Sequence, residues 1–215
     1  PPGGHRRSAA TADGGRIKVD VADTLTIRGG EISTNTISKV GRGGDIDVRA
    51  NSIDIDGRGL RGTTRGIASE AKVGSSGQPG NISVHANRVQ IFNGGGVSIK
   101  NLATVVSPAN IGQSALTVSA SEIVLGGGQI TAETSGNVTA SKISLTSAAE
   151  DGSLRIASEN NSTIGQVTSS TLASGAGGDI EISALNLTLS GVDVVSDAKP
   201  GSTGAAGRVS IEVRG

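Results

Sequence analysis

The chain contains no cysteine, methionine, tryptophan or tyrosine, and Phe92 is its only aromatic residue. Without cysteine, a disulfide framework and thiolate metal sites are excluded. Aromatic side chains normally supply much of the buried area of a globular core. An interior built without them has to be narrow and filled by isoleucine, valine, leucine and alanine. The composition therefore predicts a thin aliphatic core.

Neither sign of charge is in excess, since 19 lysines and arginines balance 19 aspartates and glutamates over 215 residues. An even balance gives no bulk attraction to nucleic acid, and we expect no nucleic-acid partner. No apolar run approaches the roughly 18 residues of a membrane-spanning helix, so we expect no membrane insertion. The first residues lack the hydrophobic segment of a signal peptide. We interpret residues 1–13 as a flexible leader or linker in a segment of a longer protein.

Glycine is abundant, with 34 copies, and many of them recur at one place in a repeated unit. In each unit a small residue lies two positions before the first apolar residue of an alternating segment. These anchor positions are Gly15, Gly44, Gly80, Ser114, Gly136, Gly178 and Gly207. Recurrence of this kind indicates a solenoid of stacked units.

Most units contain three short alternating segments. In the unit that begins at Gly80, the apolar pairs are Ile82 and Val84, Val89 and Ile91, and Val97 and Ile99. Such alternation is typical of a strand with one buried and one solvated face. Strands this short are stabilised when each unit stacks on the next. We therefore predict an all-β fold over residues 14–215, a single-stranded parallel β-helix of about six to seven rungs, each with three short strands.

The stretch GGDIDVRANSIDIDG, residues 43–57, is rich in carboxylates. We expect Asp45, Asp47, Asp54 and Asp56 to face water on the outside of the column. In the units at 80 and 178, several of these positions carry neutral or basic residues, while the apolar ladder persists. Catalysis and metal binding need a converging set of groups. We therefore expect no catalytic residue, no metal site and no cofactor.

Other motifs also indicate a structural role and not a catalytic or ligand-binding one. The glycine-rich corners lack the following helix that a phosphate-binding loop requires. GRGGDIDV, residues 41–48, superficially resembles the calcium-binding nonapeptide of toxin-type β-rolls, but no tandem copy follows. The two histidines, His5 and His85, are too few for a histidine metal site or triad.

Contacts with a partner are expected in loops of variable length, because these differ in shape from rung to rung. The predicted insertions are residues 58–65, 106–113 and 160–175. The candidate contact residues are Arg58, Arg61, Arg65, Asn110, Asn160 and Asn161. These loops lack large hydrophobic anchors, so we expect weak individual contacts and avidity from many rods on one cell.

The frame GG-D/N-I-x-V-x-A-N-S/R-I/V-x-I, the third strand GGQITAET and the loop SSGQPGN (75–81) resemble the repeats of filamentous haemagglutinin-like exoproteins, especially the large cyanobacterial kind. The resemblance covers residues 14–215. It implies a right-handed β-helix, two-partner secretion through an outer-membrane β-barrel transporter, and adhesion outside the cell or at the bacterial surface. The asparagine-proline motifs of that family's secretion domain are absent here, which implies a repeat segment.

Two classes of function follow from this fold prediction. The first is a non-catalytic structural or adhesive rod, whose partner is a receptor or glycan on a host or neighbouring cell. The second is a polysaccharide-binding or polysaccharide-degrading domain, because pectin-degrading enzymes also use β-helices. We expect the rod, since the acidic cluster and its neighbours Lys18, Asp20, Ser83 and His85 form no obvious catalytic set.

Overall fold

The computed structural model describes residues 13–58, 65–158 and 163–214. Three predicted contact residues, Arg61, Asn160 and Asn161, lie outside the described residues, as does the predicted leader up to residue 12. Within the described ranges the one helical element is a 3₁₀ turn, Pro108–Asn110. The all-β prediction is confirmed.

Nineteen strands in the described part of the chain form three parallel sheets. The first sheet contains β1 (Ile17–Asp20), β4 (Ile46–Arg49), β7 (Ile82–His85), β10 (Ala115–Ala120), β13 (Lys142–Ser147), β16 (Ile180–Ala184) and β19 (Val209–Val213). The second sheet contains β2 (Thr24–Arg28), β5 (Ser52–Asp56), β8 (Arg88–Phe92), β11 (Glu122–Gly126), β14 (Ser153–Ala157) and β17 (Asn186–Ser190). The third sheet contains β3 (Glu31–Thr36), β6 (Arg65–Ala71), β9 (Gly95–Asn101), β12 (Gln129–Thr134), β15 (Gly165–Thr171) and β18 (Val192–Ala198). Strand order along each sheet follows chain order, so consecutive rungs stack and the predicted parallel β-helix is confirmed.

Apolar residues stack in register from rung to rung. Ile46 pairs with Ile82, which pairs in turn with Leu116, and Val48 pairs with Val84. These five side chains are at most 1% exposed. Full burial of such a side chain contributes roughly 1.5–3 kcal/mol. The predicted inward ladder is therefore the core, a continuous aliphatic column between the three sheets.

Glycine at the start of the first-sheet strands lets successive rungs approach closely. A Cβ atom on Gly80 would lie 1.9 Å from the carbonyl oxygen of Gly44, and one on Gly44 would lie 1.8 Å from that of Gly15. No side chain fits at such distances. A Cβ atom on Gly15 would meet nothing within 4 Å, because β1 is the first described strand of its sheet and no described rung lies beneath it.

A second buried column follows the last position of the third-sheet strands, and most of its members are polar. In register they are Thr36, Ala71, Asn101, Thr134 and Thr171. Thr134 is fully buried, and its Oγ1 donates to the carbonyl oxygen of Val138 at 2.7 Å. Thr171 donates in the same way to the carbonyl oxygen of Gly175. These bonds close the third corner, where the chain leaves the third sheet for the next rung.

The fifth rung begins later than the anchor spacing predicts. The prediction places a strand after Gly136, but Gly136 and Val138 lie in the third corner, and the strand of this rung is β13, which follows Ser141. A Cβ atom on Gly136 would lie 1.7 Å from the carbonyl oxygen of Ala103. This glycine therefore serves close approach inside a corner, and the prediction of a rung start there is wrong.

The predicted insertion at residues 160–175 contains a strand. β15 occupies residues 165–171 and pairs with β12 and β18, so the loop prediction is wrong for these residues. Val167 is the only large apolar side chain that β15 contributes to the core. Ser169 and Thr171 occupy its other buried inward positions.

The C-terminal end of the column has a step. The first sheet has seven strands and the other two have six, so β19 begins a further rung beyond β17 and β18. Val209, Ile211 and Val213 of β19 are 39%, 47% and 51% exposed. Among the described strands β19 pairs with β16 alone, which leaves these apolar side chains partly uncovered.

Candidate functional site

The recurring Asp or Asn of the repeat is bound to the scaffold. The backbone N–H of Asn81 donates to Oδ1 of Asp45 at 2.8 Å, and the N–H of Ala115 donates to Oδ1 of Asn81 at 2.9 Å. Asp179 accepts from the N–H of Arg208 at 2.7 Å. Each side chain thus satisfies the N–H at the equivalent position of the next rung. Sequence reasoning missed this role, although an Asp or Asn follows four of the predicted anchor glycines, namely Gly44, Gly80, Gly136 and Gly178.

Asp47 lies on the outer face of β4 but is not open to water. Its side chain is 9% exposed, with Nη2 of Arg16 2.9 Å from Oδ2 and Nε of Arg49 3.4 Å from Oδ1. The expectation that Asp47 faces water is therefore wrong. A carboxylate is stable in this buried position because two guanidinium groups neutralise it. These pairs also occupy the carboxylate, so it offers no free base.

Ser83 and His85 form the one contact on the first sheet that resembles a nucleophile and its base. The hydroxyl oxygen of Ser83 lies 2.9 Å from Nε2 of His85. Acyl transfer also requires backbone N–H donors beside the nucleophile to stabilise an oxyanion. The strand that carries both residues is paired on each side, with β4 and with β10, so its backbone is engaged in the sheet. The pair is a hydrogen bond between two outward-facing side chains of one strand.

The predicted contact residue Arg58 is held at the corner after β5. Its Nη2 lies 2.6 Å from Oδ2 of Asp56, and the side chain of Asn93 donates to Oδ1 of Asp56 at 2.9 Å. The hydrogen bonds from the Arg58 side chain hold the pKa of Asp56 well below its usual range, with smaller contributions from the Arg58 backbone N–H and Asn93. The same bonds raise the pKa of Arg58. The Arg58 side chain is 76% exposed, so its outer edge remains accessible.

Arg65 is not a loop residue as predicted. It is the first residue of β6, and its Nη1 donates to the carbonyl oxygen of Gly57 at 2.7 Å. The side chain therefore closes its own corner.

Asn110 lies on an exposed loop, as predicted. It ends the 3₁₀ turn between β9 and β10, and its backbone N–H donates to the carbonyl oxygen of Ser107 at 3.1 Å. The loop is attached to the next rung where Nε2 of Gln113 donates to the carbonyl oxygen of Ala140 at 2.7 Å. Asn110 therefore projects from a loop with an anchored end.

A concave surface that the sequence did not indicate runs along the third sheet. We call it the third-sheet trough. Its floor consists of Ala68, Ser98, Thr131 and Thr168, and one wall consists of Asn35, Glu70, Lys100 and Glu133, followed by the nearly buried Ser170. The other wall consists of Glu31, Gln129 and Gln166, and it is interrupted by Gly66 and Gly96 in the two rungs after Glu31. A depression of about 320 Å³ over the earlier rungs and one of about 210 Å³ over the later rungs share Lys100 and Glu133. The trough therefore extends across several rungs, parallel to the axis of the column.

The trough is deep enough to shield its floor. Ala68 and Ser98 face outward, yet they are only 7% and 1% exposed. Each wall is two residues from the floor along the strand, so the walls lie roughly 13 Å apart at about 3.3 Å per residue. Small floor residues between longer polar ones produce this shape.

Charged residues on the first two sheets are largely paired with each other, whereas the trough carries both paired and unpaired ones. In the trough Glu70 pairs with Lys72, and Lys199 pairs with Asp197. On the second sheet Glu122 binds Arg88 at 2.9 Å and Arg155 at 2.6 Å. Lys100 and Glu133 are partners in strand register, but within the described ranges neither forms an ion pair or a side-chain hydrogen bond. The trough thus presents donors and acceptors that other side chains do not occupy.

The described residues contain no group of three or more His, Cys, Asp or Glu side chains placed to hold a metal ion. Among the same residues, no helix has the length and apolar character needed to cross a membrane.

Comparison with models of protein families, with curated proteins and with solved structures finds no match. The resemblance to haemagglutinin-like exoproteins therefore stays a prediction that rests on the repeat pattern.

Proposed function

We propose that this chain is a non-catalytic structural and adhesive rod segment of a secreted, cell-surface exoprotein of the filamentous haemagglutinin-like type. The observation that carries the proposal is the contrast between the two faces of each strand. Inward positions keep apolar or small side chains in register, whereas outward positions vary between charged, amide and hydroxyl side chains. Such a pattern preserves the shape and length of the molecule and leaves its outer surface free to vary.

We place the protein outside the cell or at the bacterial surface, exported through an outer-membrane β-barrel transporter as part of a longer exoprotein. Strands pair only with those of adjacent rungs. A column of this kind can fold rung by rung as the chain emerges. A chain without cysteine needs no oxidation step outside the cell. The partner of the rod is a receptor or glycan on a host or neighbouring cell.

The alternative function on this fold is polysaccharide degradation. The first-sheet surface favours the rod, because Asp47 is held by two arginines and Ser83 lies on a strand paired on both sides. Incubation with pectin, alginate and hyaluronan, followed by assays for reducing sugars and unsaturated uronides, tests this point. We expect no turnover above that of buffer. Turnover that disappears in His85→Ala would contradict the non-catalytic proposal.

Adhesion is tested with beads coated with the chain and applied to bacterial and host cells. We expect attachment only at high coating density, since weak contacts need avidity. Shortening the loop at residues 106–113 should reduce attachment, while the exposed substitution Asp193→Ala should not. If the parent chain attached at no coating density, the adhesive role would be contradicted. The chain would then act only as a spacer. Full attachment of the shortened variant would exclude that loop as the contact.

A further inference from the structure

We propose that the third-sheet trough binds an extended, uncharged glycan, with the glycan chain lying parallel to the axis of the column. The proposal goes beyond the rod function, because a rod needs no ligand on the face of a sheet. It rests on the shape of the trough, its unoccupied hydrogen-bonding groups and its balance of charge.

The shape fits a linear polymer. Equivalent side chains of successive rungs lie about 4.8 Å apart along the axis, the spacing of neighbouring strands. Because the two depressions join at Lys100 and Glu133, a single chain can occupy both. The wall of Asn35, Glu70, Lys100 and Glu133 then presents a hydrogen-bonding group in each of four successive rungs, as a polymer of similar units requires. The opposite wall adds Glu31, Gln129 and Gln166.

The polar side chains of the trough suit the hydroxyl groups of a sugar. The later rungs line the trough with Gln129, Thr131, Gln166 and Thr168. Each of these side chains can donate and accept. In the described part of the chain, none of the four has a hydrogen-bond partner. Amide and hydroxyl side chains at a concave surface match the mixed donors and acceptors of a sugar.

The balance of charge favours a neutral ligand over a charged one. Three carboxylates (Glu31, Glu70 and Glu133) and three ammonium groups (Lys72, Lys100 and Lys199) line the two depressions. A polyanion would meet the carboxylates at each turn, and a polycation would meet the lysines. Because both signs are intermixed along the trough, neither gains a continuous attraction.

An extended peptide fits this surface less well. A peptide that adds to a sheet needs a free strand edge, and β6, β9, β12 and β15 are each paired on both sides. A helix or an apolar segment needs a hydrophobic groove, whereas the floor consists of alanine, serine and threonine. The glycan is therefore the occupant that the surface favours.

The affinity of a single trough is expected to be low. The trough has no aromatic residue on which a sugar ring could stack. We expect a dissociation constant near the millimolar range, on the order of 4 kcal/mol of binding free energy. Many rods on one surface would raise the effective affinity.

The test is affinity electrophoresis of the folded chain in native gels that contain a soluble neutral polysaccharide, namely hydroxyethyl cellulose, glucomannan or laminarin. Polygalacturonate and chitosan gels provide polyanionic and polycationic comparisons. Thr131→Arg places a long side chain on the floor where the two depressions meet. Thr117→Arg is its matched control, because Thr117 faces outward in the same rung on the first sheet and is also half-buried.

We expect at least one neutral polysaccharide to retard the parent chain and Thr117→Arg equally. Retardation of Thr131→Arg should be weaker by at least about tenfold in apparent dissociation constant. Circular dichroism of both variants establishes that they fold. Retardation by none of the neutral polysaccharides, retardation only in the charged gels, or equal retardation of a folded Thr131→Arg would each overturn the proposal. If the chain bound polysaccharide in gels but coated beads did not attach to cells, the glycan site would stand and the adhesive function would fail.

Discussion

Asp45 and Asn81 lie in adjacent rungs and are joined by a hydrogen bond from the backbone N–H of Asn81 to the carboxylate of Asp45. The carbonyl oxygen of Asn81 in turn accepts from the N–H of Ile46 at 2.9 Å. The two bonds hold the start of β7 against the start of β4. In the fourth rung Ala115 occupies the position of Asp45 and has no acceptor to offer. There the N–H of Lys142 donates to the carbonyl oxygen of Ser114 instead, at 3.0 Å. An Asp or Asn is thus one of two ways to satisfy this N–H.

Removing the Asp45 acceptor should destabilise the fold. We expect Asp45→Ala to lower the free energy of unfolding by about 1 kcal/mol, because the N–H of Asn81 loses its partner. Asp45→Asn keeps an acceptor of the same reach and should unfold at nearly the parent midpoint in urea. Asp193→Ala, at an exposed outward position, is the control and should be neutral. If Asp45→Asn lost as much stability as Asp45→Ala, the ion pair with Arg42 would be the cause instead.

Glycine at the anchor should be required only where another rung lies beneath it. We expect Gly80→Ala to cost about 1–3 kcal/mol, the range for overpacking, because its Cβ would lie 1.9 Å from the Gly44 carbonyl oxygen. Gly15→Ala meets nothing within 4 Å and should be neutral or slightly stabilising. Urea unfolding of the two variants measures the difference. Equal midpoints would mean that the close approach does not constrain the sequence.

The inward ladder should not tolerate charge. Val84 is fully buried, so Val84→Asp should cost several kcal/mol or prevent folding. Asp54→Ser, on the outer face of β5, should stay within about 0.5 kcal/mol. Chemical denaturation followed by far-ultraviolet circular dichroism compares the two. Similar losses in both variants would contradict the assignment of inner and outer faces.

The polar column at the third corner should stabilise the fold through its hydrogen bonds rather than through the volume of its side chains. Thr134→Val keeps the size of the side chain but leaves the carbonyl oxygen of Val138 without its donor. We expect a loss of about 1–3 kcal/mol, the cost of an unsatisfied buried polar group. Thr134→Ser retains the hydroxyl and should lose less. A Thr134→Val variant as stable as the parent would show that the corner closes without this bond.

The ion pair between Asp56 and Arg58, at the corner after β5, should make part of the stability depend on pH. Arg58 lowers the pKa of Asp56 in the folded state, so the stabilisation is present above the ordinary carboxyl pKa of about 3.9. It is lost as the pH falls toward the depressed value in the folded state. We therefore expect the stability difference between the parent and Asp56→Asn to shrink between about pH 5 and about pH 2. Urea midpoints measured across this range, with Arg58→Gln as a second variant that removes the guanidinium group and its charge, check the effect. A difference that stays constant with pH would contradict it.

The strands could be predicted where the core is aliphatic. Ile82 and Val84 alternate clearly because both inward positions of β7 carry large apolar side chains. In β15 the inward positions after Val167 are Ser169 and Thr171, so the alternation disappears although both residues are buried. Hydroxyl side chains can line this interior because backbone groups of the corner lie within hydrogen-bonding distance. That proximity depends on the neighbouring rung and is not visible in one unit of sequence.

The candidate surfaces could be predicted only in part. The loop that carries Asn110 was identifiable from its length and polarity. Burial of Asp47 was not, because it depends on Arg16, which precedes it by a whole rung. The third-sheet trough was invisible for a similar reason, since its floor and walls come from strands of several different rungs. In a solenoid, surface shape depends on the register between units.

The arrangement of hydrogen bonds along the axis also determines how the molecule yields to mechanical force. A pull on the two ends of the column acts along the direction in which the strands of successive rungs are joined. The terminal rung carries the load first, and its strands separate one after another before the next rung is disturbed. The column would therefore lengthen in steps and absorb work at each of them, so that a load applied along its axis is taken up gradually.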